Sequence, residues 1–137
     1  NGARGARRAS NRSQQQMSLN LELGFAIESA FGDDLECPVE QKQDALVIRL
    51  KNGVTLEVRY AAPDAYSLRW AYGDAESTID TAPLHHGLAT FPNHFHDASG
   101  RVVADPITRP DAPPQDNLRK LIRALLDDPL LGVGETA

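Results

Sequence analysis

Apolar residues recur along the chain with two different periods, and the change from one to the other marks out the elements. From Ser18 onward, Leu19, Leu23, Ile27 and Phe31, with Ala26 and Ala30 beside them, follow i, i+4, i+8, i+12, the stripe of an amphipathic helix. Ser18 is placed to cap its start and Gly32 its end. Residues 33–44 are polar and acidic, interrupted by Cys37-Pro38, and read as a loop. A period of two then takes over. Leu46, Ile48 and Leu50 alternate with Val47, Arg49 and Lys51, and Val54, Leu56, Val58 and Tyr60 alternate with Thr55, Glu57 and Arg59. Tyr66, Leu68, Trp70 and Tyr72 form a third run, so three strands with one buried face are predicted.

The pairing register follows from keeping the faces apart. A two-residue Asn52-Gly53 turn would oppose Leu50 to Thr55 and mix apolar with polar positions. A three-residue loop, Lys51-Asn52-Gly53, instead opposes Leu50 to Val54, Ile48 to Leu56 and Leu46 to Val58, with Gly53 in a left-handed conformation. Matching faces next pair Tyr60 with Tyr66, Val58 with Leu68 and Leu56 with Trp70, which sets Glu57 opposite Arg69. Gly73-Asp74 signals a turn into a fourth strand at 76–81, and 101–104 reads as a short further strand. Asp105 to Pro114 holds four of the nine prolines and reads as an extended connector. Leu118, Leu121, Ile122, Leu125 and Leu126 then define a helix stopped by Pro129. The expected fold is α+β: an antiparallel meander of four or five strands with an N-terminal and a C-terminal helix packed on one face.

Composition narrows the class. The chain has 137 residues, 41% hydrophobic and 24% charged, which fits one ordinary soluble domain. No apolar run reaches the roughly 18 residues a membrane crossing needs. The single cysteine, Cys37, excludes an internal disulfide and multi-cysteine zinc sites, and its acidic surroundings predict a structural role rather than a nucleophilic one. With no signal peptide at the start, the expected compartment is the cytoplasm. Residues 1–16 carry Arg4, Arg7, Arg8 and Arg12, no acid and no apolar period. Met17, the one methionine, reads as the natural start, and 1–16 as an appended or upstream disordered basic tail, the alternative being an arm for nucleic acid. A single domain is expected at 17–131 and a frayed terminus at 132–137. Without the tail the formal charge moves from -5 to -9, ten basic against nineteen acidic residues, which disfavours broad nucleic-acid binding.

Candidate chemistry is concentrated in one place. All four histidines, His85, His86, His94 and His96, lie within twelve residues, bracketed by Asp80 and Asp97. Pro83, Gly87 and Pro92 make the segment a structured loop. Three readings stand. His94 and His96 point to one side of an extended segment and, with His85 or His86 and a carboxylate, have the donors for a divalent metal. Imidazoles titrating near neutrality have the means to deprotonate an RNA 2′-hydroxyl and protonate the leaving oxygen without any cofactor. Or they hydrogen-bond loop carbonyls while Phe91 and Phe95 anchor the loop in the core. No metal is expected, since adjacent His85 and His86 cannot both face the other pair unless Gly87 bends the chain sharply. Arg49, Lys51, Arg59 and Arg69 share the polar sheet face, either as an RNA or partner surface or as a solvated face with Glu57 neutralising Arg69. Arg119, Lys120 and Arg123 take the outward side of the last helix, and Tyr60, Tyr66 and Trp70 read as core rather than a base-stacking platform.

A family resemblance is carried by Tyr66-Ser67-Leu68-Arg69-Trp70, Asp80-Thr81-Ala82-Pro83-Leu84-His85-His86 and Thr90-Phe91-Pro92-Asn93-His94-Phe95-His96. This order resembles the TumE-type toxins of prokaryotic toxin–antitoxin pairs, with Tyr-x-Phe-x-Trp, Asp-Asn-Ala-Pro-His-His and Thr-Phe-Pro-His-His-x-His. Thr81 stands for the usual Asn, Leu84 separates Pro83 from the histidine pair, and Asn93 replaces a histidine. The resemblance implies a toxin neutralised by a helix-turn-helix antitoxin. Combined with the histidines, it gives the expectation of a metal-independent ribonuclease using His85, His86, His94 and His96 as its acid/base set. Other expectations left open are a noncatalytic module that binds a helix-turn-helix partner, and a divalent-metal-binding protein.

Overall fold

The computed structural model describes residues 2–132, and side chains at positions 14, 15 and 17–132. The frayed end expected at 132–137 therefore lies outside the described residues except for Gly132, as do the side chains of Arg4, Arg7, Arg8 and Arg12. Helix α1 spans Gly2–Phe31. Leu23, Ile27 and Phe31 are buried and Leu19 packs against them, as the stripe predicts, while Ala30 is exposed. Ser18 is not the cap: helical backbone continues N-terminally through residues rich in Ala, Arg and Gln, all strong helix formers.

Seven strands follow, β1 (Glu40–Gln41), β2 (Leu46–Arg49), β3 (Thr55–Ala62), β4 (Ala65–Tyr72), β5 (Ala75–Asp80), β6 (His94–His96) and β7 (Val102–Ala104), in one antiparallel sheet in sequence order. Helix α2 is Pro114–Asp127. The meander and the two helices make an α+β fold, with more strands than expected. The additions are β1, a two-residue edge pairing with no readable period, and β6, cut from the segment expected to be loop. Pro114 opens α2 inside what reads as connector, because proline at the first helical position loses no intrahelical bond.

The central register is the one the face-matching argument requires. Leu46 opposes Val58 and Ile48 opposes Leu56, with Gly53 at φ +100 in the connecting loop. Leu56 opposes Trp70, Glu57 opposes Arg69, Val58 opposes Leu68 and Tyr60 opposes Tyr66. One face of the sheet, extended by Ile79 and Phe95, meets the apolar sides of α1 and α2 in a single core. Trp70 stacks on Phe95 at 5.8 Å and donates its indole N–H to the Pro129 carbonyl at 3.0 Å. The helices lie on that face only, so the opposite face carries whatever the protein displays.

Candidate functional site

The displayed face is built by alternation. Since Ile79 and Phe95 point into the core, their neighbours Thr78, Asp80, His94 and His96 point the other way. Registered pairs place His94 beside Asp80 and His96 beside Thr78, and these rows continue to Ser67 and Arg69 on β4. The 81–93 connection folds back so that the His85 ring lies 4.6 Å from His94 and 5.8 Å from His96, with His94 and His96 4.7 Å apart. His94 is 1% exposed, whereas the His96 side chain is 40% exposed. A coordinating atom from each of the three rings lies within 4.8 Å of the other two.

Asp80 completes the group. Its Oδ1 is 3.1 Å from His94 Nε2 and accepts the Ala82 N–H at 3.0 Å, and its Oδ2 is 3.8 Å from His96 Nε2. His94 Nδ1 is 3.2 Å from the Pro92 carbonyl, which can only accept, so this nitrogen is assigned the proton. Burial holds the His96 imidazole below its usual pKa, reinforced by His94 and His85 and opposed by Asp80.

The loop's position is fixed by a buried polar network that the sequence reading did not include. Asn93 donates to the Asp105 carboxylate at 2.8 Å and to the Thr108 carbonyl at 2.9 Å. The same carboxylate accepts the backbone N–H of Ile107 and Thr108 at 2.8 and 3.0 Å and takes the Thr108 hydroxyl, which leaves that oxygen to accept from Tyr66 at 2.7 Å. Thr90 links the ends, donating to the Asn93 carbonyl and accepting the Asp105 N–H. The turn-forming Asp105-Pro106 pair was the available signal. Asn93, where the resembled pattern has histidine, thus holds the backbone next to His94.

Other expected residues fall elsewhere. His86 is not brought to the cluster: it is exposed and stacks on Phe91 at 4.4 Å. Phe95 anchors the segment in the core as expected, but Phe91 is 38% exposed and does not. Asp97 turns into the β6–β7 connection, accepting from the Ser99 amide and hydroxyl and the Arg101 amide. Glu57 does not neutralise Arg69, although the two are in register. It pairs with Arg59 at 2.6 Å, while Arg69 reaches Glu76 on β5 at 3.1 Å. Arg49 pairs with Glu40 at 2.8 Å and Lys51 sits exposed in the β2–β3 turn. Cys37 is exposed and fills no core position, contrary to the structural role expected. Tyr60, Tyr66 and Trp70 are buried.

Fold and site together define an α+β meander protein with helices on one sheet face and a histidine–carboxylate cluster on the other. The family model described as Toxin TumE matches residues 10–129 of the chain, which therefore belongs to the TumE toxin family. As such it is the toxin component of a toxin–antitoxin system, whose counterpart is an antitoxin. No curated protein and no solved structure matches the chain. No helix among the described residues is long and apolar enough to cross a membrane.

Proposed function

We propose that this toxin acts on RNA at the His85, His94 and His96 cluster by acid–base cleavage of the phosphodiester, and that a helix-turn-helix antitoxin neutralises it in the cytoplasm. The observation that carries the reading is the convergence of three imidazoles from a loop and a strand beside one carboxylate. His96 is the accessible base: its lowered pKa leaves it neutral and able to take the 2′-hydroxyl proton. The 2′-oxygen then bonds to phosphorus, the P–O5′ bond breaks, and His85 returns a proton to the leaving oxygen. The products are a 2′,3′-cyclic phosphate and a 5′-hydroxyl. His94, buried against Asp80, is a positioning residue. Arg49, Lys51, Arg59 and Arg69 occupy the basic surface for the strand. The ion pairs of Arg49, Arg59 and Arg69 are solvent-exposed, where water and salt screen the attraction, so exchanging a carboxylate for a phosphate costs little.

Expression in a bacterial host is expected to arrest growth, and changing His94 and His96 together to alanine is expected to relieve the arrest. RNA from arrested cells should carry new 2′,3′-cyclic phosphate ends. A folded double variant that stays equally toxic would remove the cluster from the mechanism.

A further inference from the structure

We propose that His85, His94 and His96, with Asp80 beside them, bind one divalent transition-metal ion of the zinc class, and that the metal-loaded protein is the silent form of the toxin. The silencing half rests on the acid–base reading above, but the binding half does not.

Geometry provides the first argument. Around tetrahedral zinc, nitrogen ligands about 2.0–2.1 Å from the ion lie roughly 3.3 Å from one another. The three imidazoles already have coordinating atoms within 4.8 Å, so closing on an ion takes movements of about 1.5 Å or less. His85 and His96 are partly exposed and have room for side-chain rotations of that size, while buried His94 stays fixed. Because His86 turns away, the obstacle of two adjacent histidines facing one point does not arise.

The second argument is electrostatic. With its Nδ1 directed to the Pro92 carbonyl, His94 has Nε2 left as its coordinating atom, and 3.1 Å away stands an oxygen of Asp80. A ring nitrogen and a carboxylate oxygen so placed are both donors to a cation, and the carboxylate sets negative charge beside the three imidazoles. A carbonyl accepting from the outer ring nitrogen is the usual support of a metal-bound imidazole, since it fixes the tautomer that coordinates. Three imidazoles and one carboxylate suit zinc or nickel rather than magnesium or calcium, which prefer oxygen donors.

Coordination uses the lone pairs that proton transfer requires. Metal binding and RNA cleavage at this cluster are therefore mutually exclusive.

The test uses the full chain purified without chelators and freed of any metal-affinity tag, titrated with Zn²⁺ against a chromophoric chelator. One equivalent is expected to bind, His85→Ala and His96→Ala are each expected to weaken binding by roughly tenfold or more, and His86→Ala is expected to leave it unchanged. Both weakening variants alter partly exposed residues, and thermal melting without metal checks that they fold. Uptake below about one tenth of an equivalent, with no rise in melting temperature at excess Zn²⁺, overturns the site. So does an equal loss in His86→Ala, which would place the ion elsewhere. Saturating Zn²⁺ is expected to abolish RNA cleavage, and cleavage that persists or rises overturns the silencing. A protein that binds Zn²⁺ through His85 and His96 yet never cleaves RNA upholds the metal site and sinks the RNA reading together with the silencing that rests on it.

Discussion

Tyr60 and Tyr66 lie side by side in the core with ring centroids 5.0 Å apart, and their hydroxyls have opposite fates. Tyr66 donates to Thr108 at 2.7 Å, whereas the Tyr60 hydroxyl is buried near the Asn117 side chain but makes no well-formed hydrogen bond to it. A buried hydroxyl without a well-formed hydrogen bond loses its water and gains little, so Tyr60→Phe is expected to stabilise the protein by about 1 kcal/mol, read from the urea midpoint. Destabilisation of similar size would show that the oxygen has a partner in solution. Both phenols also resist ionisation. Burial pushes Tyr66 up to about 12, with Asp105 and Asp111 adding to the shift and the Thr108 hydrogen bond opposing it. Burial and neighbouring Tyr66 raise Tyr60 as well, with Asn117 opposing the shift. Between pH 10 and about 12 the unfolded chain loses these protons and the folded chain keeps them. The stabilisation is thus whole below pH 10 and lost as the pH rises through the folded values. Urea midpoints should fall from pH 9 to pH 11, and less steeply in Tyr66→Phe; a midpoint flat over that interval would contradict the shift.

At the scale of elements, what the sequence reveals depends on whether a pattern is local or needs a partner. The β2–β3–β4 register could be derived because one apolar face admits a single alignment and Gly53 supplies the left-handed turn. Two residues of β1 carry no period, and β6 is visible only once Phe95 has Trp70 to stack on. Helix α1 shows a different limit. Met17, Leu21 and Phe25 repeat at the same spacing as Leu19, Leu23 and Ile27, but the first set is exposed, Phe25 by 69%. Periodicity alone cannot choose between the stripes, and the sheet does. Ile27→Ala is therefore expected to cost about 2–5 kcal/mol and Phe25→Ser to stay within about 0.5 kcal/mol. Equal losses in chemical denaturation would mean that Phe25 packs against something.

For the molecule as a whole, the α+β class and the clustering of the histidines were legible, but which of them converge was only partly so. Clustering singled out the four histidines, and i, i+2 spacing put His94 and His96 on one side. That His85 joins them and His86 does not is decided by the path of the 81–93 loop, which depends on contacts among Thr90, Asn93, Asp105 and Thr108, up to fifteen positions apart. Asp80 enters through the β5–β6 register, which no turn signal specified. The charged face shows the same division: its basic residues were evident, but their partners depended on which carboxylates the strands brought alongside.

The two helices that cover the apolar sheet face come from opposite ends of the meander, and α2 is the last element in chain order. Leu118, Leu121, Ile122 and Leu125 complete the core, and the Leu125 carbonyl accepts from Asn52 in the β2–β3 turn at 3.0 Å. During synthesis every strand therefore leaves the ribosome before the layer that seals it. Until α2 has emerged, the nascent chain holds a sheet face that water cannot satisfy and an unfinished fold. The histidine cluster is complete in sequence by His96 but lacks Asp105 and Thr108, which fix its loop, and then the helix that closes the core beneath it. A ribosome making this toxin thus releases a settled cluster only after the histidine segment is well clear of it.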